Sequence, residues 1–210
     1  MNALLCIFLD SPITNEMVKK TREKFIEVAR QLFARKGVEN TTMNDIASAS
    51  DKGRRTIYTY FKSKREIFNA VIDNESEQLL QRLRVIVAQA ISPEEKLREY
   101  VDCRLQTMRE IVSRNGSLRA GFFRDVRKVD RARAIISRKE AALLMEILRE
   151  GIETGDFEIE SVKESALIIV NAIQGLDVPY IRDGLSQYGM EDNTIQRVIT
   201  DLILHGIVRR

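Results

Sequence analysis

The chain has 210 residues, of which 44% are hydrophobic and 31% are charged, a balance that is ordinary for a globular protein with a core. No stretch approaches the roughly 18 consecutive apolar residues of a transmembrane helix. The two cysteines, Cys6 and Cys103, form neither a metal-binding spacing nor a disulfide framework, which favours a reducing, cytoplasmic location.

The net charge of +3 is distributed unevenly along the chain. Residues 17–75 carry 13 Lys/Arg and 8 Asp/Glu, a net charge of +5, whereas residues 76–210 carry 21 of each. A modest basic excess is usually a solvated surface, but on a small domain it can mark a nucleic-acid contact. The first third is therefore the candidate nucleic-acid-binding region.

Residues 1–16 contain a short apolar run, Ala3–Leu9. It has no basic segment before it and no small-residue cleavage site after it, so a signal peptide is not expected. Residues 1–16 are predicted to be a disordered extension. Met17, just before the basic segment Lys19–Arg22, would serve as an alternative start.

The first predicted helix begins near Thr21. Apolar residues recur at helical spacing from Phe25 to Phe33, and Gly37 supplies a stop signal. A shorter helix follows, with Thr42 as its N-cap and Asp45 closing a capping-box-like pair.

A turn, Ser50–Gly53, connects this short helix to the segment Arg54–Phe61. The segment has the β-branched and aromatic composition of a strand, but neither alternating face would be cleanly apolar. As a helix it places Ile57 and Phe61 on one inward face, so a helix is predicted, held by tertiary packing. Two helices joined by such a turn form a helix-turn-helix candidate.

The rest of the chain is helical in pattern, with start signals such as Ser92-Pro93-Glu94-Glu95 and a stop at Gly155. Six further helices are predicted, at about residues 64–90, 92–115, 117–128, 131–154, 161–183 and 191–208. With the first three they make about nine helices and an all-α fold.

The run TTMNDIASASDKGRRTIYTYFKSKREIF resembles the DNA-binding domain of the tetracycline-repressor (TetR) family of bacterial transcription regulators. The similarity covers roughly residues 20–70. The residues that occupy the positions of the family pattern are Thr42, Ile46, Ala47, Tyr58, Tyr60, Phe61 and Lys64.

Three departures from the family pattern lie in and after the turn. Lys52 stands where an apolar residue is usually buried, and Gly53 replaces the serine that caps the recognition helix. Arg55 occupies a place often held by a small residue or proline. A weaker cap is expected, and base preference does not transfer from relatives.

The resemblance implies that residues 54–60 enter a major groove. Arg54 and Arg55 can each donate two hydrogen bonds to guanine, and Thr56 can contact a base or a thymine methyl. Ordinary surface charge is the alternative role for both arginines.

The same resemblance implies phosphate contacts from Thr42, Tyr58 and Lys64, with Lys64 helped by the amino end of its own helix. Tyr60 faces either the sugar-phosphate backbone or the core. The predicted DNA-contacting residues are Thr42, Arg54, Arg55, Thr56, Tyr58, Thr59, Tyr60 and Lys64.

The resemblance also implies the domain organisation: a helix-turn-helix DNA-binding domain at residues 17–70 and a larger helical ligand-binding and dimerisation domain at residues 71–210. A double-stranded operator and an unidentified small-molecule effector are the expected partners, and the chain is expected to be a repressor. Candidate pocket residues, each more often simple core, are Tyr100, Cys103, Phe122, Phe123 and Met145.

The last two helices are predicted to form a homodimer. Residues 166–173 are apolar nearly all round, so that helix needs burial on two sides. The final helix carries its apolar residues in one stripe between Ile195 and Ile207. Two such helices from each chain can form a four-helix interface.

An enzyme is the first alternative, but no phosphate-binding loop, dinucleotide turn, zinc-protease motif or nucleophile elbow is present. The single histidine, His205, is predicted to be a surface residue. Neither catalysis nor a cofactor or metal is therefore expected. The second alternative is a helical sensor or scaffold whose first domain binds protein instead of DNA.

Overall fold

The computed structural model describes residues 12–115, 126–181, 189 and 192–207. In these ranges the chain is all-α, as predicted, with eight helices. They are α1 (Pro12–Lys36), α2 (Met43–Ala49), α3 (Arg54–Tyr60), α4 (Lys64–Val87), α5 (Pro93–Asn115), α6 (Val126–Thr154), α7 (Val162–Ile181) and α8 (Asp192–Ile207).

The chain forms two compact units. Among the described residues, the first unit contains everything up to Asn74 together with Asn115, and the second contains residues 75–114 and everything from residue 126 onward. Helix α4 contributes its first eleven residues to the first unit and the remainder to the second.

The core of the first unit is built from the apolar stripe of α1 and the inward faces of the next three helices. Ile57 and Phe61 are 0% and 1% exposed, which confirms the helical interpretation of that segment. The Phe61 ring meets the Phe25 ring edge-on, with 6.5 Å between centroids. The buried apolar residues are Phe25, Ile26, Ala29, Leu32, Phe33, Met43, Ile46, Ala47, Ile57, Phe61, Ile67, Ala70 and Val71.

Helix α1 begins earlier than the sequence pattern predicts. It starts at Pro12, so residues 12–16, expected to belong to the disordered extension, are helical; residues 1–11 lie outside the described residues. Proline is favoured at the first position of a helix because its missing N–H would have no intrahelical acceptor there. At its other end, α1 stops at Gly37, which has a φ of +85° and donates its N–H to the Phe33 carbonyl at 3.0 Å.

The second unit has its own apolar core, formed by α5 to α8 and the second part of α4. The turn after α6 packs against that helix, because the Phe157 ring lies directly over Gly151. Gly155, with a φ of +82°, ends α6 as predicted. The Glu158 N–H then donates to the Ile207 carbonyl at 2.8 Å, which joins this turn to the end of α8.

A buried polar network also connects three helices of the second unit. Arg104 of α5 and Glu140 of α6 form an ion pair at 3.2 Å, with both side chains about 97–98% buried. Gln174 of α7 donates to the second Glu140 oxygen at 3.3 Å and accepts from the Ser137 hydroxyl at 2.8 Å. The Tyr100 hydroxyl donates to the Glu140 carbonyl at 3.0 Å. Buried charges require such partners, so the network links the packing of α5, α6 and α7.

The start of α6 also differs from its predicted position. The predicted helix at residues 117–128 lies mostly outside the described residues. Helix α6 begins at Val126 instead of residue 131; residues 126–131 contain neither glycine nor proline, so nothing local stops the helix there.

Candidate nucleic-acid interface

The capping box that opens α2 is confirmed. Thr42 Oγ1 accepts from the Asp45 N–H at 3.1 Å, and Asp45 Oδ2 accepts from the Thr42 N–H at 2.9 Å. Lys36 Nζ lies 3.0 Å from the same carboxylate oxygen. The backbone hydrogen bond from Thr42, together with Lys36, lowers the pKa of Asp45 to about 2. A side-chain hydrogen bond from the Thr42 hydroxyl contributes to the same lowering, and the Thr42 side chain is exposed at the surface of the domain.

The turn between α2 and α3 is tight and partly buried. The buried Ser50 hydroxyl donates to the Ile46 carbonyl at 2.7 Å, and Asp51 adopts a left-handed φ of 56°, which Asp tolerates better than most residues. Lys52, at a position where the family usually has a buried apolar residue, is exposed. Gly53 is the N-cap of α3 and provides no side-chain hydrogen bond, as expected from the missing serine.

Helix α3 buries only Ile57 and presents most of its other side chains to solvent. Arg54, Arg55, Tyr58 and Thr59 are exposed, and Thr56 is half-buried. The Arg54 guanidinium carbon lies 5.9 Å from the centroid of the Tyr58 ring, a cation–π distance.

The side-chain hydrogen bond described within α3 does not involve its two arginines. The Thr59 hydroxyl donates to the Thr56 carbonyl at 2.7 Å. Neither Arg54 nor Arg55 forms an ion pair with any residue that the structure describes. Their guanidinium donors are therefore available to an external acceptor.

Tyr60 belongs mainly to the core side of α3. It is half-buried, and its ring lies 5.5 Å from the Phe25 ring, centroid to centroid. Of the two roles left open by the sequence, the structure places the ring against the core.

Lys64 has acceptors within its own domain. Its Nζ donates to the carbonyls of Val38 at 2.7 Å and of Glu39 at 3.1 Å. Lys64 thus ties the loop between α1 and α2 to the start of α4. A lysine ammonium has three N–H donors, so one remains for a phosphate.

A carboxylate of α4 itself, that of Glu66, lies at the amino end of the helix. Ser63 Oγ accepts from the Glu66 N–H at 3.2 Å, and Glu66 Oε2 accepts from the Lys62 N–H at 2.7 Å. The Glu66 carboxylate thus lies at the helix end that was expected to help Lys64 hold a phosphate.

Sequence reasoning did not single out two sets of exposed cations in the first unit for DNA contact. One is Lys52, beside the N-cap of α3; the other is the first half of α1, with Lys19, Lys20 and Lys24. The signal that could have found the second set is that the apolar stripe begins only at Phe25, which leaves the preceding basic residues without a core role.

The single histidine of the chain lies in the second unit. His205 is exposed, as predicted, and its Nδ1 lies 2.6 Å from the Asp201 carbonyl oxygen. Within the described ranges there is no His/Cys/Asp/Glu cluster that could hold a metal ion. Over the same residues, none of the helices has the length and hydropathy of a membrane span.

The chain is similar to several bacterial regulators. The uncharacterised HTH-type transcriptional regulator YfiR of Bacillus subtilis is 25% identical over 169 residues, which are 78% of this chain and 82% of that protein. The probable acrEF/envCD operon repressor of Escherichia coli K12 is 36% identical over 93 residues, 44% of this chain and 42% of that protein. The chain thus matches most of the first relative but less than half of the second.

A solved structure extends the similarity across both units. The crystal structure of a transcriptional regulator from Cytophaga hutchinsonii has a TM-score of 0.70 and 25% identity, covering 89% of this chain and 98% of that one. Residues 25–71 match the model of a family described as bacterial regulatory proteins, tetR family. Residues 25–71 are therefore a DNA-binding helix-turn-helix domain of the tetR family of bacterial regulatory proteins.

Proposed function

We propose that this protein is a transcriptional repressor that binds a palindromic operator as a homodimer and is released by a small-molecule effector. The observation that carries the proposal is α3, a helix that buries only Ile57 and presents Arg54 and Arg55 to solvent without ion-pair partners among the described residues. A cytoplasmic location follows from this function.

Base recognition is assigned to the first turn of α3. In a helix-turn-helix, the N-terminal residues of the recognition helix contact base edges in the major groove. Arg54 and Arg55 occupy that turn and can form bidentate hydrogen bonds to guanine, while Thr56 can contact a neighbouring base. The Tyr58 ring supports the Arg54 guanidinium from one side.

Backbone contact is assigned to the surrounding hydroxyl groups. Thr42 and Thr59 are exposed, and Tyr58 is 43% exposed. Lys64 contributes at most one N–H to a phosphate, because its other donors are used within the domain. Tyr60 acts on the interface by supporting α3 from the core side.

The proposed dimer interface is formed by α7 and α8. One face of α7 packs into the core, where Ala166 and Ile173 are buried, while Ile168 on another face is 68% exposed. Helix α8 likewise buries Leu204 and leaves Leu202 71% exposed. Large apolar side chains exposed on two consecutive helices support burial against a second copy.

The effector is proposed to bind within the second unit. Of the candidate pocket residues, Tyr100 is fully buried with its hydroxyl satisfied, Cys103 and Met145 are half-buried, and Phe122 and Phe123 lie outside the described residues. Helix α4 contributes to both units and is the proposed lever between effector and operator. Such coupling is typically about 1–3 kcal/mol.

Binding selection from randomised duplexes tests the function directly. Arg54→Ala or Arg55→Ala should each cost about 1–3 kcal/mol on the selected operator and relax the preference at one base pair per half-site. Tyr58→Phe is the control, because it removes a proposed phosphate contact and should weaken all sequences similarly. Uniform weakening by both arginine variants, with base preference unchanged, would show that α3 does not contact bases.

A further inference from the structure

The first half of α1 has no evident role in the core. This segment, residues 12–24, precedes the part of the chain that matches the family, which begins at residue 25. None of its described side chains, from residue 15 onward, is buried. Burial therefore does not explain why the helix continues for several turns before Phe25.

Basic side chains are the distinctive feature of this half-helix. Lys19, Lys20, Arg22 and Lys24 are all exposed. Neither Lys19 nor Lys20 forms an ion pair with any described residue. These two ammonium groups are therefore available to an external anion.

Two contacts place the segment beside the recognition helix. The Arg22 guanidinium carbon lies 5.1 Å from the centroid of the Phe61 ring, at the carboxyl end of α3. Lys24 Nζ lies 3.1 Å from Asp51 Oδ2, in the turn that precedes α3. Residues 22–24 thus border both ends of α3.

Helix geometry extends this placement to the two free lysines. Lys20 precedes Lys24 by four residues and Lys19 precedes Arg22 by three, so each lies on the same face as its partner. One helical turn is about 5.4 Å. Lys19 and Lys20 therefore continue the basic surface about one turn outward from the edge of α3.

We propose that Lys19 and Lys20 form a second phosphate-binding element, which contacts the DNA backbone outside the base pairs recognised by α3. The inference rests on the proposed function and deepens it. Lysine binds phosphate as a point charge, and backbone contacts carry no sequence information directly. The element should therefore lengthen the DNA site and increase affinity without changing base preference.

The test compares the DNA affinity of the double variant Lys19→Ala/Lys20→Ala with that of the parent protein on two duplexes. One duplex is the selected operator alone, and the other is the same operator with six added base pairs on each side. The control, Arg138→Ala/Lys163→Ala, removes the same charge from exposed positions of the second unit. Alanine favours helix, and both lysines are exposed, so circular dichroism should show an intact fold.

The parent should bind the longer duplex more tightly, and the lysine variant should lose that gain while the control keeps it. The slope of log affinity against log salt should become shallower by about 0.9 for each lost phosphate contact, with up to about four contacts per dimer. A variant with the parent's affinities and slope would overturn the inference alone, as would altered base preference. A parent that binds neither duplex would overturn the proposed function as well.

Discussion

Two glycines of the first unit differ in backbone conformation, and this difference determines whether each position tolerates a side chain. Gly53 caps α3 with φ −69° and ψ 152°, a conformation open to any residue. A Cβ at this position would meet nothing closer than Thr56 Oγ1 at 3.9 Å. Gly37, in contrast, ends α1 with a φ of +85°, which disfavours side chains.

Gly53→Ser should therefore stabilise the protein by about 0.5–1 kcal/mol, since it adds a side-chain cap and reduces the entropy of the unfolded chain. Gly37→Ser is the matched control and should destabilise, by about 1 kcal/mol, because its φ is left-handed. Denaturant unfolding of both variants provides the measurement. Equal effects of the two substitutions would contradict the assigned backbone conformations.

The lowered pKa of Asp45 predicts that part of the free energy of unfolding is lost in acid. Its pKa is about 2 in the folded protein, against an ordinary value of 3.8, so folding favours the ionised carboxylate. The stabilisation is present above about pH 4 and is lost as the pH falls toward 2.

Asp45→Asn should remove this component, so the difference in unfolding free energy between parent and variant should shrink between pH 5 and pH 2. Denaturant titrations at several pH values measure that difference, and comparison with the variant removes the contribution of other carboxylates. A difference that does not vary with pH would argue against the Thr42–Asp45–Lys36 arrangement.

At the scale of elements, the junction after α6 depends on the absence of a side chain. A Cβ on Gly151 would lie 2.1 Å from Phe157 Cδ2, and Phe157 is only 3% exposed. The Phe157 N–H also donates to the Gly151 carbonyl at 2.9 Å. The ring therefore has little freedom to move away.

Gly151→Ala should destabilise the protein by about 1–3 kcal/mol through overpacking. In a Phe157→Ala background the same substitution should be neutral or stabilising by up to about 1 kcal/mol, because alanine is the better helix former. A double-mutant cycle by thermal unfolding measures this coupling. Additive effects would mean that the ring and the glycine do not interact.

For the whole molecule, the proposed dimer interface is the feature most open to test. Ile168→Arg and Leu202→Arg replace side chains that are 68% and 71% exposed in the protomer. The fold should tolerate both, but two charges at an apolar interface should oppose association.

Sedimentation of the double variant should show a monomer at micromolar concentration, together with loss of binding to the palindromic operator. Ile135→Arg, at a side chain that is 54% exposed on α6, is the control and should leave the parent's association state unchanged. A monomeric parent under the same conditions would remove the basis for a dimeric repressor.

Sequence patterns alone predicted the all-α class, most helix positions and the capping box of Thr42 and Asp45. These features depend on residues three or four positions apart, whose contacts are set by the helical repeat alone. The inward face of Ile57 and Phe61 followed from the same periodicity. The TetR resemblance also rested on a continuous local run of residues.

The hydrogen-bond and ion-pair partners of the longer side chains could not be predicted from the sequence, because they depend on how the helices pack. Lys64 donates to carbonyls 25 and 26 residues away, and Lys24 pairs with Asp51 across 27 residues. The buried Arg104–Glu140 pair joins residues 36 positions apart. Such contacts arise only when separate helices pack together, because no repeat in the local sequence brings these atoms within hydrogen-bonding distance.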